Sequence, residues 1–119
     1  MGRGNQRGIR VRTPFDFYNV LRYDLPMIKS FGSAETERIW RGEVSRKFPR
    51  EIQQRTLRKL FMLDKAQSLN DLRIPPANHL ERLKGDRQDQ YSIRVNDQWR
   101  LCFVWDEGNV ENVQLEDYH

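Results

Sequence analysis

Apolar and polar positions along this chain change from a helical to a strand period near residue 79. Ahead of that point, Met27-Ile28-Lys29-Ser30-Phe31 alternates over a few residues and predicts a first short strand. Ser33 then offers a cap for a helix over 34–41, with Glu35 and Glu37 in its first turn and Gly42 beyond its end. A second helix is predicted from Pro49 or Arg50 to about Lys65. Ile52, Thr56, Leu57, Leu60, Phe61 and Leu63 form its apolar stripe; Arg50, Gln54, Arg55, Arg58 and Lys59 form a polar, basic side that reads as a solvated face. Residues 68–78 form a loop around Pro75-Pro76. Past it the period is two, and strands are predicted over 80–83, 91–95, 99–105 and 110–115. Their short connections, Asn96-Asp97 and Asp106-Glu107-Gly108-Asn109, make consecutive antiparallel hairpins. The predicted class is α+β: two helices packed on one face of a small, mainly antiparallel twisted sheet.

Residues 1–26 stand apart. They open on a Gly/Arg-rich stretch with little to bury and are expected to be a disordered extension, a misassigned start or a leader, ahead of a domain over 27–119. They also carry five Arg and two Asp, three of the chain's four net positive charges, so the domain is nearly neutral. Nucleic-acid binding must therefore come from local clusters of cations and not from bulk charge. The one cysteine, Cys102, sits in an apolar strand with no partner for a disulfide. No apolar run reaches the roughly 20 residues that span a bilayer and no signal-peptide pattern opens the chain, so a cytoplasmic location without membrane contact is expected. No spacing of His, Cys or Asp suggests a metal, and no glycine-rich phosphate loop suggests a nucleotide, so no cofactor is expected.

Strand parity sorts the candidate chemistry. Leu101, Phe103 and the tryptophans 99 and 105 share one face, which the helices should cover; Arg94 and Arg100 are then expected to project from the opposite, open face, unless a bulge breaks the pleat. Lys84 and Arg87 flank the turn at Gly85, and together with Arg100 are expected to form one rim of a concave sheet. The other rim is the tail Asp117-Tyr118-His119, whose imidazole is suited to proton exchange near neutral pH. Asp117 beside it favours the protonated form and hence an acid. Cations and an imidazole around a cleft suit phosphodiester cleavage in RNA: the 2′-hydroxyl attacks phosphorus, cations stabilise the phosphoryl oxygens, and an acid and a base move the protons. Tyr91, Trp99 or Tyr118 would stack on a base. Against this stand plainer roles: a solvated tail, ordinary hairpin charges at Lys84 and Arg87, a paired Arg100, and a surface His79.

The blocks Met27-Ile28-Lys29-Ser30-Phe31, Leu83-Lys84-Gly85-Asp86-Arg87, 91–96, 99–103 and Asp117-Tyr118-His119, in that order, resemble the HigB toxins of the RelE superfamily. The resemblance implies a RelE-like fold and a bacterial toxin that cuts mRNA in the ribosomal A site without a metal. Its partners would be a helix-turn-helix, HigA-like antitoxin and, only through the antitoxin complex, operator DNA. By motif position it implies catalytic roles for Lys84, Arg100, Asp117, Tyr118 and His119, with Arg87 and Arg94 as phosphate or RNA contacts. One departure matters: where some relatives carry a histidine three residues before the motif lysine, this chain has Glu81, with His79 two residues away; both are candidates for acid or base. The alternative is a catalytically weak or inactive RelE-like module that binds an antitoxin and regulates its operon.

Overall fold

Residues 27–118 are described by the computed structural model. The expectations for 1–26 and for His119 lie outside the described residues. Helix α1 spans Ala34–Trp40, and the Ser33 hydroxyl accepts from the Thr36 amide at 3.1 Å, as the capping pattern predicts. It ends where Gly42 takes a left-handed φ of 83°. Helix α2 spans Arg50–Lys65 and buries Ile52, Thr56, Leu60 and Leu63, positions 4, 4 and 3 apart on one face. Phe61, expected in that stripe, is instead 50% exposed and packs on Trp40 at 5.3 Å between ring centroids. It sits one position beyond the buried row, so its ring reaches the seam between the helices and not the core.

The sheet is four-stranded and antiparallel, in the order β1 (Glu81–Arg82), β2 (Gln90–Arg94), β3 (Trp99–Asp106), β4 (Asn109–Asp117). The strand expected over 80–83 contracts to two residues. Asn112, with φ of 56°, supplies one extra residue to β4 where the register steps from Cys102↔Gln114 to Val104↔Glu111. That bulge is what lets Val110, Val113 and Leu115 all be buried, since strict alternation from Val110 would have put Asn112 and Gln114 inside. These three join Ile93, Leu101 and Phe103 against Ile39, Ile52, Leu60 and Leu63 to form the core.

The predicted first strand over 27–31 is reduced to two parallel bridges beside β4, Ile28↔Val110 and Phe31↔Val113. The ladder is interrupted between them because the Asn112 amide, turned by its left-handed backbone, donates to the Ser30 hydroxyl at 2.8 Å and not to a backbone carbonyl. The amides of Met27 and Ile28 are taken by the buried carboxylate of Asp64, at 2.7 and 3.0 Å, which ties this segment to the end of α2. At Gly32 a Cβ would stand 2.5 Å from Asn112 Oδ1, so a side chain there would require the Asn112 side chain to shift. Across the same junction, the Leu115 amide donates to the Thr36 hydroxyl at 3.0 Å and fixes α1 to β4.

Candidate active site

Parity places Glu81, Ser92, Arg94, Arg100, Cys102, Gln114 and Glu116 on the face away from the helices. This face is not open as expected. Ser92 and Cys102 are fully buried, and Arg100 is only 6% exposed. Over Arg100 the cover is the 72–80 loop, which Asn78 anchors: its Nδ2 donates to the Leu72 carbonyl at 3.0 Å, and its Oδ1 accepts from Lys59 Nζ at 2.5 Å. Immediately after it His79 adopts a left-handed φ of 44°, outside the strand that holds Glu81, and its carbonyl accepts from Arg100 at 2.5 Å.

Arg100 is thereby gripped on several sides. Its Nε donates to Ser92 Oγ at 2.8 Å and a terminal nitrogen to the Ser92 carbonyl at 3.2 Å, while Glu81 stands 3.9 Å away and the Tyr118 ring lies 5.2 Å from the guanidinium carbon. A buried guanidinium held by neutral oxygen acceptors, with the Glu81 carboxylate at ion-pair distance, has its orientation fixed. The result is a shallow cleft of about 270 Å³ lined by His79, Glu81, Arg94, Arg100 and Tyr118 with the Asn96-Asp97 turn.

The turn and the end of β4 hold each other. Asn96 Oδ1 accepts from the Gln98 and Trp99 amides, each at 2.8 Å, and the Tyr118 amide donates to the Gln98 carbonyl at 2.6 Å. The Asp117 carboxylate accepts from Gln98 Nε2 at 3.1 Å, which leaves it bracing the tail beside the cleft. Arg94 reaches into the cleft but is paired with Asp97.

Two expected rim cations lie elsewhere. Lys84 precedes the short 3₁₀ turn Gly85–Arg87 and lines a separate hollow with Arg82, Leu83, Gly85 and Gln88. Arg87 folds back over the sheet, where it makes a two-pronged contact with Glu116 at 2.9 and 2.6 Å and donates to Gln90 Oε1 at 2.9 Å. The bonded guanidinium holds the Glu116 carboxyl below the usual carboxylate range against the opposing effect of its partial burial. Beneath this pair, burial pushes the Cys102 thiol up to about 11. Arg87 is thus an internal tie. Tyr91 and Trp99, the other stacking candidates, are occupied: Tyr91 lies against Phe103 with centroids 6.3 Å apart, and Trp99 meets Phe48 edge-on at 5.5 Å.

Ser92 and Asn78, which orient Arg100 and its cover, were not singled out from the sequence. The signal for Ser92 was its place on the Arg94 face of β2; Asn78, in an irregular loop, carried none. Among the described residues no group of His, Cys, Asp and Glu is disposed to hold a metal ion, and no helix is long and apolar enough to cross a membrane.

Comparison with known proteins gives a family. The model of the RelE-like toxin of type II toxin-antitoxin system HigB matches residues 29–119. Toxin HigB-1 of Vibrio cholerae is 45% identical over 73 residues, covering 61% of this chain and 77% of that protein. An uncharacterized protein of Haemophilus influenzae is 40% identical over 77 residues, 65% of this chain and 76% of its own. Endoribonuclease HigB of Proteus vulgaris is 31% identical over 93 residues, 78% of this chain and the whole of that protein.

Proposed function

The chain belongs to the HigB family of RelE-like toxins of type II toxin-antitoxin systems, and from that premise we propose that it is an endoribonuclease that cuts mRNA in the ribosomal A site at the Arg100 cleft. Membership brings an antitoxin partner with it. We infer further that this partner is a HigA-like helix-turn-helix protein, that operator DNA is met only through the complex, and that the toxin acts in the bacterial cytoplasm.

The observation that carries the reading is the immobilised guanidinium of Arg100, held by Ser92 and the His79 carbonyl at the floor of a cleft with a carboxylate and a phenol on its walls. Donors fixed before the reaction stabilise developing charge without reorganising, and the loss of one such donor is worth about 10²–10³ in rate. In the proposed reaction the 2′-oxygen attacks the adjacent phosphorus and the bond to the 5′-oxygen breaks, leaving a 2′,3′-cyclic phosphate and a 5′-hydroxyl. Glu81 takes the 2′-hydroxyl proton, His119 returns one to the leaving 5′-oxygen, and Arg100 stabilises the phosphoryl oxygens. Tyr118 supports the guanidinium and stacks on a base, Asp117 braces the tail, Arg94 meets a phosphate once released from Asp97, and Lys84 holds a flanking phosphate from its own hollow. These groups supply both proton transfers and the charge stabilisation, so no metal is needed.

Purified protein, ribosomes and a defined message, read by primer extension, test the proposal. Cuts in the A-site codon that disappear on deletion of His119 are expected; cutting of free RNA as fast as ribosome-bound RNA would overturn the ribosome requirement. An intact message together with tight antitoxin binding would favour the inactive, regulatory module.

A further inference from the structure

Beside the cleft, and sharing Arg94, Asn96 and Asp97 with it, runs a larger groove of about 500 Å³ between α2 and the 76–79 turn. Its α2 wall is Arg55, Arg58 and Lys59, which the 3.6-residue period brings to one side; Met62, Ala77 and Val95 give it apolar surface. Among the described residues the single carboxylate lining the groove, Asp97, is taken by Arg94. Arg55 and Lys59 bond only neutral oxygens, the Val95 carbonyl at 3.3 Å and Asn78 Oδ1 at 2.5 Å. Among the described residues none of the three α2 cations is in an ion pair. Partial burial, together with the neighbouring Arg55 and Arg58, lowers the Lys59 pKa, which marks a site where like charges crowd without a counter-ion.

We propose that this groove is a second phosphate-binding site, which takes the backbone of the RNA strand flanking the nucleotide held in the Arg100 cleft. The inference rests on the endoribonuclease reading for its ligand. Three uncompensated cations suit a polyanion more than a single small anion, and the shared Arg94–Asp97 turn makes the two hollows one continuous path. The apolar stretch of Met62, Ala77 and Val95 gives an unstacked base a surface without demanding a sequence. A face that looked simply solvated in sequence is thereby assigned to substrate.

The test is binding of a labelled, non-cleavable 2′-O-methyl single-stranded RNA to the full chain across a salt series. An Arg55→Gln/Arg58→Gln double variant should bind about 10-fold or more weakly. Its plot of log affinity against log salt should be shallower by ~1.4, since each single-strand phosphate contact contributes ~0.7. Both residues are exposed, and unchanged circular dichroism would show that the variant folds. Arg41→Gln, which removes one positive charge just past the end of α1, should match wild type. Equal affinity and slope in the double variant would overturn the proposal, as would undetectable binding by wild type. Loss of antitoxin binding with RNA binding retained would also overturn it, by making the groove a protein surface. Failure of the endoribonuclease reading looks different: the salt slope depends on Arg55 and Arg58, yet no message is cut.

Discussion

Arg100 and Ser92 meet diagonally across β3 and β2, with Nε donating to the hydroxyl at 2.8 Å, where Ser92 is fully buried and Arg100 forms the floor of the cleft. The same guanidinium bonds the carbonyls of Ser92 and His79, so one side chain serves both the cleft and the closure of the loop above it.

Arg100→Ala should therefore reduce both activity and stability. Cleavage of ribosome-bound message should fall by about 10² or more. Unfolding free energy should fall by about 1–3 kcal/mol, because buried acceptors lose their donor. Arg100→Lys keeps the charge but not the fork, and should recover stability more than rate. Urea titration beside single-turnover cleavage separates the two; an Arg100→Ala variant as stable as wild type would show that the covered face tolerates an empty site.

Tyr118 lies with its ring 5.2 Å from the guanidinium carbon while 42% exposed. Tyr118→Phe should retain most activity, because the ring face is what the cation meets. Tyr118→Ala should cost about 10-fold in cleavage, with little change in melting temperature. Equal loss in both variants would instead assign the role to the hydroxyl.

Legibility followed range. Both helices and their ends could be read because their signals are local: Ser33 and its first-turn acids, Gly42, and the stripe from Ile52 to Leu63. The hairpins followed from turn residues. What escaped depends on partners far along the chain: Asp64 capping the amides of Met27 and Ile28, the 72–80 loop burying Arg100, and Arg87 turned onto Glu116. The Asn112 bulge illustrates the reason. Asn and Gly are common in turns, and nothing near Asn112 distinguishes a bulge inside a strand from the end of one.

Glu116 gives a pH prediction. Its carboxyl is held below the ordinary carboxylate range chiefly by the Arg87 hydrogen bonds, so the pair's contribution is fully present above that range and is lost as pH falls through the lowered value. Wild type should lose stability on acidification below about pH 4.5, the usual value for this group. Glu116→Gln should lose less over the same interval and be less stable at neutral pH. Chemical denaturation at several pH values checks this; parallel curves for the two proteins would remove Glu116 from the account.

Cys102 should be nearly inert. Burial first of all, and the adjacent Glu116 carboxylate, raise its thiol from 9.0 to about 11, and two units reduce the thiolate at neutral pH by about 100-fold before access is considered. Labelling by iodoacetamide in native buffer should be far slower than for a free thiol and should rise in urea with global unfolding. Rapid native labelling would mean that the Arg87–Glu116 cover opens locally.

The segment beside β4 has a consequence for how this molecule meets other chains. Residues 27–32 occupy the outer main-chain groups of β4 around Val110 and Val113, and at the opposite margin β1 is two residues long, Glu81 and Arg82, both charged and exposed. Among the described residues the sheet thus lacks a long, flat, apolar edge on which a foreign strand could extend it, the feature that invites edge-to-edge aggregation. Recognition is left to side chains on the helices, the loop and the cleft, and the long run of paired backbone in β3 and β4 stays out of reach of its own copies.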